Sequence, residues 1–270
     1  MTVVSVCQVA LAVGELAGNR QACAAAVEEA AAAGAELIVL PELSDSGYVF
    51  AGADEARGLA APAGGNPTLD LWQDWAGQHR AVIVGGFCEL GSGGLLYNSA
   101  AVVDATGTRA VYRKAHLWDA EKLVFTPGDA PPPVVDLPFG RVGVLVCYDL
   151  EFPEWVRLPA LAGAHLIAAP VNWPAAPVPP GERVAEVVKA QADAAVNRVF
   201  VAVADRCAAE RGVDWAGGTM VAGPDGYPLA GPAPAGQPVV LTAACDLAQA
   251  QDKRISERND VLADRRPGLY

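Results

Sequence analysis

One cysteine, Cys147, stands at the end of an apolar run rich in β-branched residues, and polar turn residues and a proline follow it. This pattern predicts a buried strand at residues 142–147 that opens into a turn before a helix. Two other strand-like segments lead to ionisable side chains: residues 35–40 precede Glu42, and residues 109–113 precede Lys114. A thiol, a carboxylate and an ammonium group placed at strand ends can form a site for nucleophilic acyl transfer.

In such a site each residue has a defined chemical task. The Cys147 thiolate attacks a carbonyl or nitrile carbon and forms a thioester or a thioimidate. Glu42 removes the thiol proton and later activates water, while Lys114 and the backbone N–H of Tyr148 stabilise the oxyanion. Taken singly, each residue also fits a structural reading, because a buried thiol, a turn glutamate and a surface lysine are common.

A cysteine–histidine pair is the competing arrangement for thiol chemistry. His116 follows Lys114 by two residues, so on a strand the two side chains would share a face. A structural hydrogen bond is the preferred interpretation for His116. His165 opens a predicted strand and is interpreted as a core or strand-start residue.

Composition narrows the class of protein. The chain has 270 residues, 52% of them hydrophobic and 19% charged, and no linker-like stretch, which favours a single domain over residues 1–270. Its formal net charge of -12 argues against a nucleic-acid partner. Residues 1–7 lack the features of a signal peptide and no apolar run reaches membrane-spanning length, so we expect a cytoplasmic protein without a membrane partner.

The cysteines and histidines do not suggest a metal. Six cysteines are scattered along the chain without a C-x-x-C pair, and the three histidines form no ligand motif with them. We therefore expect reduced thiols and neither a metal nor an organic cofactor.

The pattern of elements predicts an α/β fold in which strands outnumber helices. Strands are predicted at residues 2–11, 37–40, 81–88, 98–104, 108–112, 142–147, 165–169, 198–204, 218–222, 227–229 and 239–245. Helices are predicted at residues 19–33, 68–79, 153–161 and 182–196. Two mixed sheets packed face to face, each covered outside by helices, would bury these elements; a single doubly wound sheet is the alternative.

Three motifs, taken together and in order, resemble those of the carbon–nitrogen hydrolase (nitrilase) superfamily along nearly the whole chain. They are Leu40-Pro41-Glu42, the segment 112–117 around Lys114, and Cys147-Tyr148-Asp149 with Phe152-Pro153-Glu154. The resemblance implies a four-layer α-β-β-α sandwich with mixed sheets and a catalytic triad of Glu42, Lys114 and Cys147. It also implies that Glu121 orients the substrate.

Within the superfamily, Cys147-Tyr148-Asp149 is similar to the amidase and carbamoylase branches, and other segments are similar to microbial aliphatic amidases. The expected activity is hydrolysis of small aliphatic amides to carboxylate and ammonia. Carbamoyl-amino-acid (ureido) hydrolysis and ω-amidase activity are the alternatives, followed by nitrile hydrolysis and a non-catalytic scaffold. An apolar acyl pocket is expected from loop residues, although core or lid packing fits each of them equally. These residues are Tyr48, Phe50, Trp118 and Trp173, and Asn172 is expected to take part in oxyanion or substrate binding.

The chain departs from the family pattern in one helix. Many relatives carry Arg and Glu before an Asn there, whereas here Asp193 and Val196 precede Asn197. The resemblance further implies a homodimer or a larger even assembly. The charged C-terminal tail, about residues 252–270, is expected to contribute to its contacts.

Overall fold

The computed structural model describes residues 1–269, and its secondary structure follows the apolar pattern of the chain closely. The α-helices are α1 (Leu16–Ala32), α2 (Ala53–Leu59), α3 (Pro67–His79), α4 (Pro153–Leu161) and α5 (Ala185–Asn197). The strands are β1 (Thr2–Ala10), β2 (Leu37–Val39), β3 (Val82–Leu90), β4 (Leu96–Asp104), β5 (Gly107–Arg113), β6 (Val134–Leu137), β7 (Gly140–Val144), β8 (Leu166–Pro170), β9 (Phe200–Ala204), β10 (Arg206–Cys207), β11 (Met220–Ala222), β12 (Pro228–Ala230), β13 (Val239–Cys245), β14 (Arg254–Ser256) and β15 (Asn259–Asp260).

These strands form two mixed sheets and a small C-terminal hairpin. In the first sheet β1, β2 and β3 run parallel, and β4 and β5 continue from β3 as antiparallel neighbours. On its other side β1 pairs antiparallel with β13 and, at its last two residues, parallel with β10. In the second sheet β7, β8 and β9 run parallel, and β6, β11 and β12 extend it with antiparallel pairing.

Apolar side chains alternate between the two faces of each central strand, and this alternation explains how the layers assemble. On β1, Val4 and Val6 face a core that they share with residues of the second sheet such as Val144. Cys7 and Val9 point to the opposite face, where α1 and α3 cover the first sheet. Helices α4 and α5 pack on the outer face of the second sheet. The order of layers is therefore helix, sheet, sheet, helix, which confirms the predicted α-β-β-α architecture over the doubly wound alternative.

Several predicted boundaries differ from the structure for identifiable reasons. Strand β7 ends at Val144, although the apolar run continues to Val146. Leu145 N still donates to Ala168 O of β8 at 3.2 Å, but Val146 N donates to the side chain of Asp149 at 3.1 Å rather than to a strand. Helix α2 was not predicted because Ala56 is its one buried residue, so it has no apolar stripe. Strand β6, an antiparallel edge strand of four residues, was missed as well, since short edge strands have weak sequence patterns.

The described part of the C-terminal tail is mostly exposed. Strands β14 and β15 form a hairpin, and Lys253 Nζ donates to the carbonyl oxygens of Asn197 (3.3 Å) and Arg198 (2.8 Å) at the end of α5. These bonds satisfy carbonyls that a helix end leaves without an intrahelical donor. The role of the C-terminal tail in oligomer contacts stays a prediction, and Tyr270 lies outside the described residues. Among residues 1–269, no helix combines the length and the apolar character needed to cross a membrane.

We expect Asp193→Asn to stabilise the protein at neutral and alkaline pH. Asp193 is buried on α5, and burial together with the charge of Glu151 raises the pKa of its carboxyl from 3.8 to about 7, although Arg157 opposes the shift. The unfolded chain ionises this group from about pH 4, so it lowers stability progressively between pH 4 and pH 7. Asparagine cannot ionise, and we expect a gain of about 1–2 kcal/mol at pH 8.

Urea unfolding at pH 4 and pH 8 measures this effect. The gain at pH 8 should shrink at pH 4, and Asp74→Asn, a change at an exposed position of α3, should show neither effect. An equal change at both pH values would contradict the assignment of the shift to Asp193.

Candidate active site

Strand direction brings the ionisable side chains to one edge of the first sheet. Glu42 follows β2 after two residues, and Lys114 follows β5 directly. Because β4 is antiparallel to both β3 and β5, β5 runs in the same direction as β2 and ends at the same edge. Cys147 follows β7 of the second sheet, which packs face to face with the first. The two sheets therefore bring a carboxylate, an ammonium and a thiol to one region.

Lys114 is the centre of a buried ionic cluster. Its Nζ donates to Glu42 Oε1 at 2.7 Å and to Glu121 Oε1 at 2.8 Å, and the Lys114 side chain is fully buried. Burial opposes its positive charge, but the carboxylates of Glu121 and Glu42 outweigh that effect and hold the pKa of Lys114 well above its usual value. The ammonium group therefore stays charged at neutral pH.

The two carboxylate oxygens of Glu42 differ, because one accepts hydrogen bonds from the described residues and the other does not. Oε1 accepts from Lys114 and also from Asn98 Nδ2 at 2.7 Å, while the buried Oε2 has no hydrogen-bond partner within residues 1–269. Burial raises the pKa of Glu42 to about 7, with Glu121 adding to the shift and Lys114 opposing it. A carboxylate with this pKa can accept and return a proton near neutral pH.

The second glutamate is fixed at both oxygens. Glu121 Oε1 accepts from Lys114 and, at 3.3 Å, from Asn98, and Oε2 accepts from the backbone N–H of Trp118 at 2.8 Å. These bonds leave its carboxylate oriented rather than free to rotate. The geometry suits a group that holds a substrate better than one that transfers protons.

Cys147 occupies a strained position at the start of a 3₁₀ turn (Cys147–Glu151). Its φ of 48° lies in the left-handed region that non-glycine residues rarely adopt. The Sγ donates to the carbonyl oxygen of Asn172 at 3.7 Å, and Asn172 Nδ2 donates to the carbonyl oxygen of Glu42 at 2.9 Å. Burial and the charge of Glu42 raise the pKa of Cys147 well above its usual value, so the resting thiol is protonated and requires a base.

Asp149 holds this turn in place. Its Oδ2 accepts from Val146 N at 3.1 Å and from the Tyr112 hydroxyl at 2.8 Å. Its Oδ1 contacts His116, both at the backbone N (3.1 Å) and at Nδ1 (2.7 Å). His116 is therefore engaged with Asp149 and stacked on Phe152 at 3.8 Å between ring centroids, which matches the structural role preferred from sequence.

A cavity of about 300 Å³ reaches Glu121, and its wall is mostly apolar and includes five aromatic residues. Tyr48 meets Trp215 edge to face at 5.5 Å between centroids, and Phe50 meets Phe125 at 5.8 Å. Burial, Glu121, Glu42 and Cys147 together raise the pKa of Tyr48 well above its usual value, which places its phenol close to the ionic cluster. The residues that line this acyl cavity are Tyr48, Val49, Phe50, Trp118, Asp119, Ala120, Glu121, Val124, Phe125, Pro174, Val213 and Trp215.

The predicted pocket residues are distributed around this cavity in different ways. Tyr48, Phe50 and the half-exposed Trp118 line it directly. Tyr148 meets Trp118 at 4.9 Å and lines the neighbouring cleft. Asn172 contacts Cys147 through its carbonyl oxygen, which accepts from Sγ at 3.7 Å. Trp173 is buried outside the described lining, with its backbone N–H bonded to Asp205 Oδ1 at 3.1 Å.

Some residues of the site had little or no sequence signal. Asn98 was not among the predicted site residues, although its place as a polar residue in the apolar strand β4 is a sign of a buried partner. Trp215 and Val213 reach the cavity from an irregular segment that sequence patterns do not place. Within residues 1–269 no group of three or more His, Cys, Asp or Glu side chains is arranged to hold a metal ion. The expectation that no cofactor is needed stays a prediction.

Comparison with known proteins defines the class. The sequence profile described as "Carbon-nitrogen hydrolase" matches residues 3–255, so the chain belongs to this family of hydrolases, as its motifs indicated. A protein named nitrilase from Pyrococcus abyssi is 39% identical over 246 residues, covering 90% of this chain and 89% of that protein. An N-carbamoylputrescine amidase from Arabidopsis thaliana is 32% identical over 273 residues, covering 95% of this chain and 90% of that protein.

Solved structures of similar fold include an amidase from Nesterenkonia sp. AN1. Its TM-score is 0.80 at 27% identity, with 100% of this chain and 98% of that chain covered. A glutamate-to-glutamine variant of that amidase carries acrylamide, added by Michael addition, at its active-site cysteine. The same type of variant carries the acetamide moiety of fluoroacetamide there.

We expect iodoacetamide to modify Cys147 before the other five cysteines of the folded protein. All six cysteines are free and buried, but Cys147 adjoins the ionic cluster, where Glu42 can remove its proton. Peptide mass mapping should show one early adduct, on Cys147. In Glu42→Gln the same adduct should form at least about tenfold more slowly. Cys147→Ala should give no early adduct, and early labelling of Cys7 or Cys88 instead would contradict the site.

Proposed function

We propose that this protein is an amidase that hydrolyses small uncharged aliphatic amides to the carboxylate and ammonia. The observation that carries the proposal is the buried contact of Lys114 Nζ with both Glu42 (2.7 Å) and Glu121 (2.8 Å) beside the strained thiol of Cys147. A base, a fixed cation and a nucleophile are the three groups that acyl transfer from an amide requires.

The first half of the reaction forms a thioester. Glu42 takes the proton of the Cys147 thiol as Sγ bonds to the amide carbon, and the carbonyl oxygen becomes an oxyanion beside Lys114. The N–H of Tyr148, in the first turn of the 3₁₀ helix, is the second donor, since N–H groups in a first turn have no intrahelical acceptor. Collapse of the tetrahedral intermediate breaks the C–N bond. Glu42 gives its proton to the nitrogen, and ammonia leaves.

The second half regenerates the enzyme. Glu42 takes a proton from water as the hydroxyl oxygen bonds to the thioester carbon. Lys114 and Tyr148 again stabilise the oxyanion, and the C–S bond breaks when the intermediate collapses. Glu42 then returns its proton to Sγ, and the product leaves as the carboxylic acid, which gives its own proton to solvent and becomes the carboxylate. Until the C–N bond breaks, Glu121 holds the substrate by its fixed carboxylate, which can accept from the amide NH₂ group.

The charge of the acyl cavity argues against anionic substrates. Its ionisable lining residues in the described chain, apart from the phenol of Tyr48, are the carboxylates of Asp119 and Glu121, and no lysine or arginine is among the lining residues. A substrate with its own carboxylate would enter this low-dielectric space next to like charges and without a cation to pair with. This observation disfavours carbamoyl amino acids and ω-amidase substrates.

Nitrile hydrolysis is the second candidate, because the Pyrococcus abyssi relative is named a nitrilase. A carbamoyl substrate remains the third, given the Arabidopsis thaliana relative. The discriminating experiment measures ammonia release from propionamide, propionitrile, a neutral carbamoyl compound and succinamate. We expect kcat/KM to be highest for propionamide by at least about tenfold, because the site is arranged for an amine leaving group. A preference for the nitrile would overturn the amidase assignment.

We expect Cys147→Ala to abolish turnover of every substrate that the wild-type protein accepts while the fold survives. The alanine fits the position, although its φ stays strained, and no covalent intermediate can form without Sγ. The loss should reach about 10⁴-fold or more, with circular dichroism and thermal unfolding near those of the wild type. A folded variant that keeps a tenth of the activity would remove Cys147 from the mechanism.

The pH dependence should report the ionisation of Glu42. The reactive form has Glu42 ionised, so kcat/KM for an amide should fall about tenfold per pH unit well below pH 7 and level off above it. The hydrogen bond from Asn98 lowers the pKa of Glu42, so Asn98→Ala should move this limb to higher pH in addition to slowing the reaction. A simple amide does not titrate in this range. A limb that stays at the same pH in Asn98→Ala would argue against Glu42 as the titrating base.

A further inference from the structure

A fully buried ion pair lies behind the wall of the acyl cavity. Arg206 follows β9 and has no exposed surface, and its Nη2 donates to Glu210 Oε1 at 2.8 Å. The same nitrogen also donates to the carbonyl oxygen of Leu11. Arginine and glutamate are rarely buried unless paired, so the position of each depends on the other.

Each member of the pair holds a different part of the wall. Glu210 Oε2 accepts the backbone N–H groups of Tyr48 (2.9 Å) and Val49 (2.6 Å). The guanidinium of Arg206 lies over the ring of Trp215, 4.6 Å from its centroid, which is cation–π distance. Trp215 in turn meets the ring of Tyr48. Arg206, Glu210, Tyr48 and Trp215 therefore form a closed circuit of contacts, in which each residue touches the next and Trp215 returns to Arg206.

This circuit joins two segments that are far apart in the sequence. The loop at residues 48–50 follows the catalytic Glu42, whereas the segment at residues 213–215 belongs to the second half of the chain. Both contribute lining residues to the acyl cavity, namely Tyr48, Val49, Val213 and Trp215. Their distance from each other sets the width of the cavity. The Arg206–Glu210 pair is the buried polar connection between them, and the exposed Arg211 adds a hydrogen bond from Nη1 to the carbonyl oxygen of Val49 at 2.9 Å.

We propose that the Arg206–Glu210 ion pair is a positioning device that sets the width of the acyl cavity and thereby the length of acyl chain that is accepted. The inference rests on the proposed amidase function. The two residues act through Tyr48 and Trp215. Neither is assigned a contact with the reacting atoms.

The proposal predicts an effect that depends on substrate length. An acetyl group next to Cys147 and Glu121 fills little of the cavity, so its binding depends weakly on the far wall. A hexanoyl chain must lie along the wall, and its binding loses contact area when Tyr48 and Trp215 move apart. If the pair served only the stability of the fold, both substrates would be affected alike.

The experiment compares acetamide and hexanamide as substrates of the wild type, Glu210→Gln and Arg206→Lys. We expect Glu210→Gln to lower kcat/KM at least tenfold for hexanamide, chiefly through KM, and less than threefold for acetamide. Arg206→Lys keeps a cation beside Glu210 but loses the planar group over Trp215, so its loss for hexanamide should be intermediate. If Glu210→Gln does not fold, Arg206→Lys is compared with the wild type instead.

A matched control is the ion pair of Glu89 and Arg113 (2.6 Å), in which a buried glutamate also pairs with an arginine. Neither residue lines the acyl cavity. Glu89→Gln should lower thermal stability and leave the hexanamide-to-acetamide ratio of kcat/KM within twofold of the wild type. An unchanged ratio in Glu210→Gln, or an equal change of the ratio in Glu89→Gln, would overturn the proposal.

Failure of the proposed function gives a different result. A wild-type protein that hydrolyses neither amide contradicts the amidase assignment. The ion pair is then tested through binding alone, by the concentration of each amide that halves the rate of alkylation of Cys147. Weaker protection by hexanamide in Glu210→Gln, with protection by acetamide unchanged, would support the positioning role without any turnover.

Discussion

The contact on which the site depends is the buried ammonium of Lys114 between two carboxylates. Removing three charged groups from water costs several kcal/mol per ion, and only close pairing offsets that cost. The 2.7 and 2.8 Å contacts provide the pairing, and Asn98 adds hydrogen bonds to both glutamates. Such a cluster tolerates little displacement, because a small separation would leave a buried charge uncompensated. The surrounding strands therefore have to fix Glu42, Lys114 and Asn98 together.

The sheet architecture meets this requirement through strand ends rather than through flexible loops. Lys114 follows β5 directly, and its backbone N–H bonds to the carbonyl of Asn98 on β4 at 2.9 Å, so the lysine is still in register with the sheet. Glu42 is held from the other side, since its backbone N–H bonds to Val171 (3.4 Å) and its carbonyl accepts from Asn172. These bonds cross from the first sheet to the second. The packing of the two sheets thus sets the distance between Glu42 and Cys147.

How far the sequence could predict the site follows from the same geometry. Glu42, Lys114 and Cys147 could be proposed from the sequence because each follows a recognisable strand, and strand patterns are local. The layers were predicted because alternation on strands such as β1 shows two apolar faces. Trp215 and the Arg206–Glu210 pair were not predicted, since their positions depend on contacts over about 160 residues of sequence. Trp173 was assigned to the pocket from its position after a strand, whereas Pro174 and Trp215 line the described cavity.

Burial also raises the pKa values of the two proton-exchanging groups of the site. It raises the pKa of the Cys147 thiol and that of the Glu42 carboxyl together, so removal from water weakens the acid and strengthens the base that it meets. A solvated glutamate would be a poor base for a buried thiol, because its pKa would lie several units lower. Lys114 responds differently, since its two carboxylate partners outweigh burial and keep it cationic. In the proposed mechanism this buried environment supplies a base active near neutral pH and a lasting charge for the oxyanion. Under the same proposal, the side chains that bury the site contribute to the chemistry as well as to substrate binding.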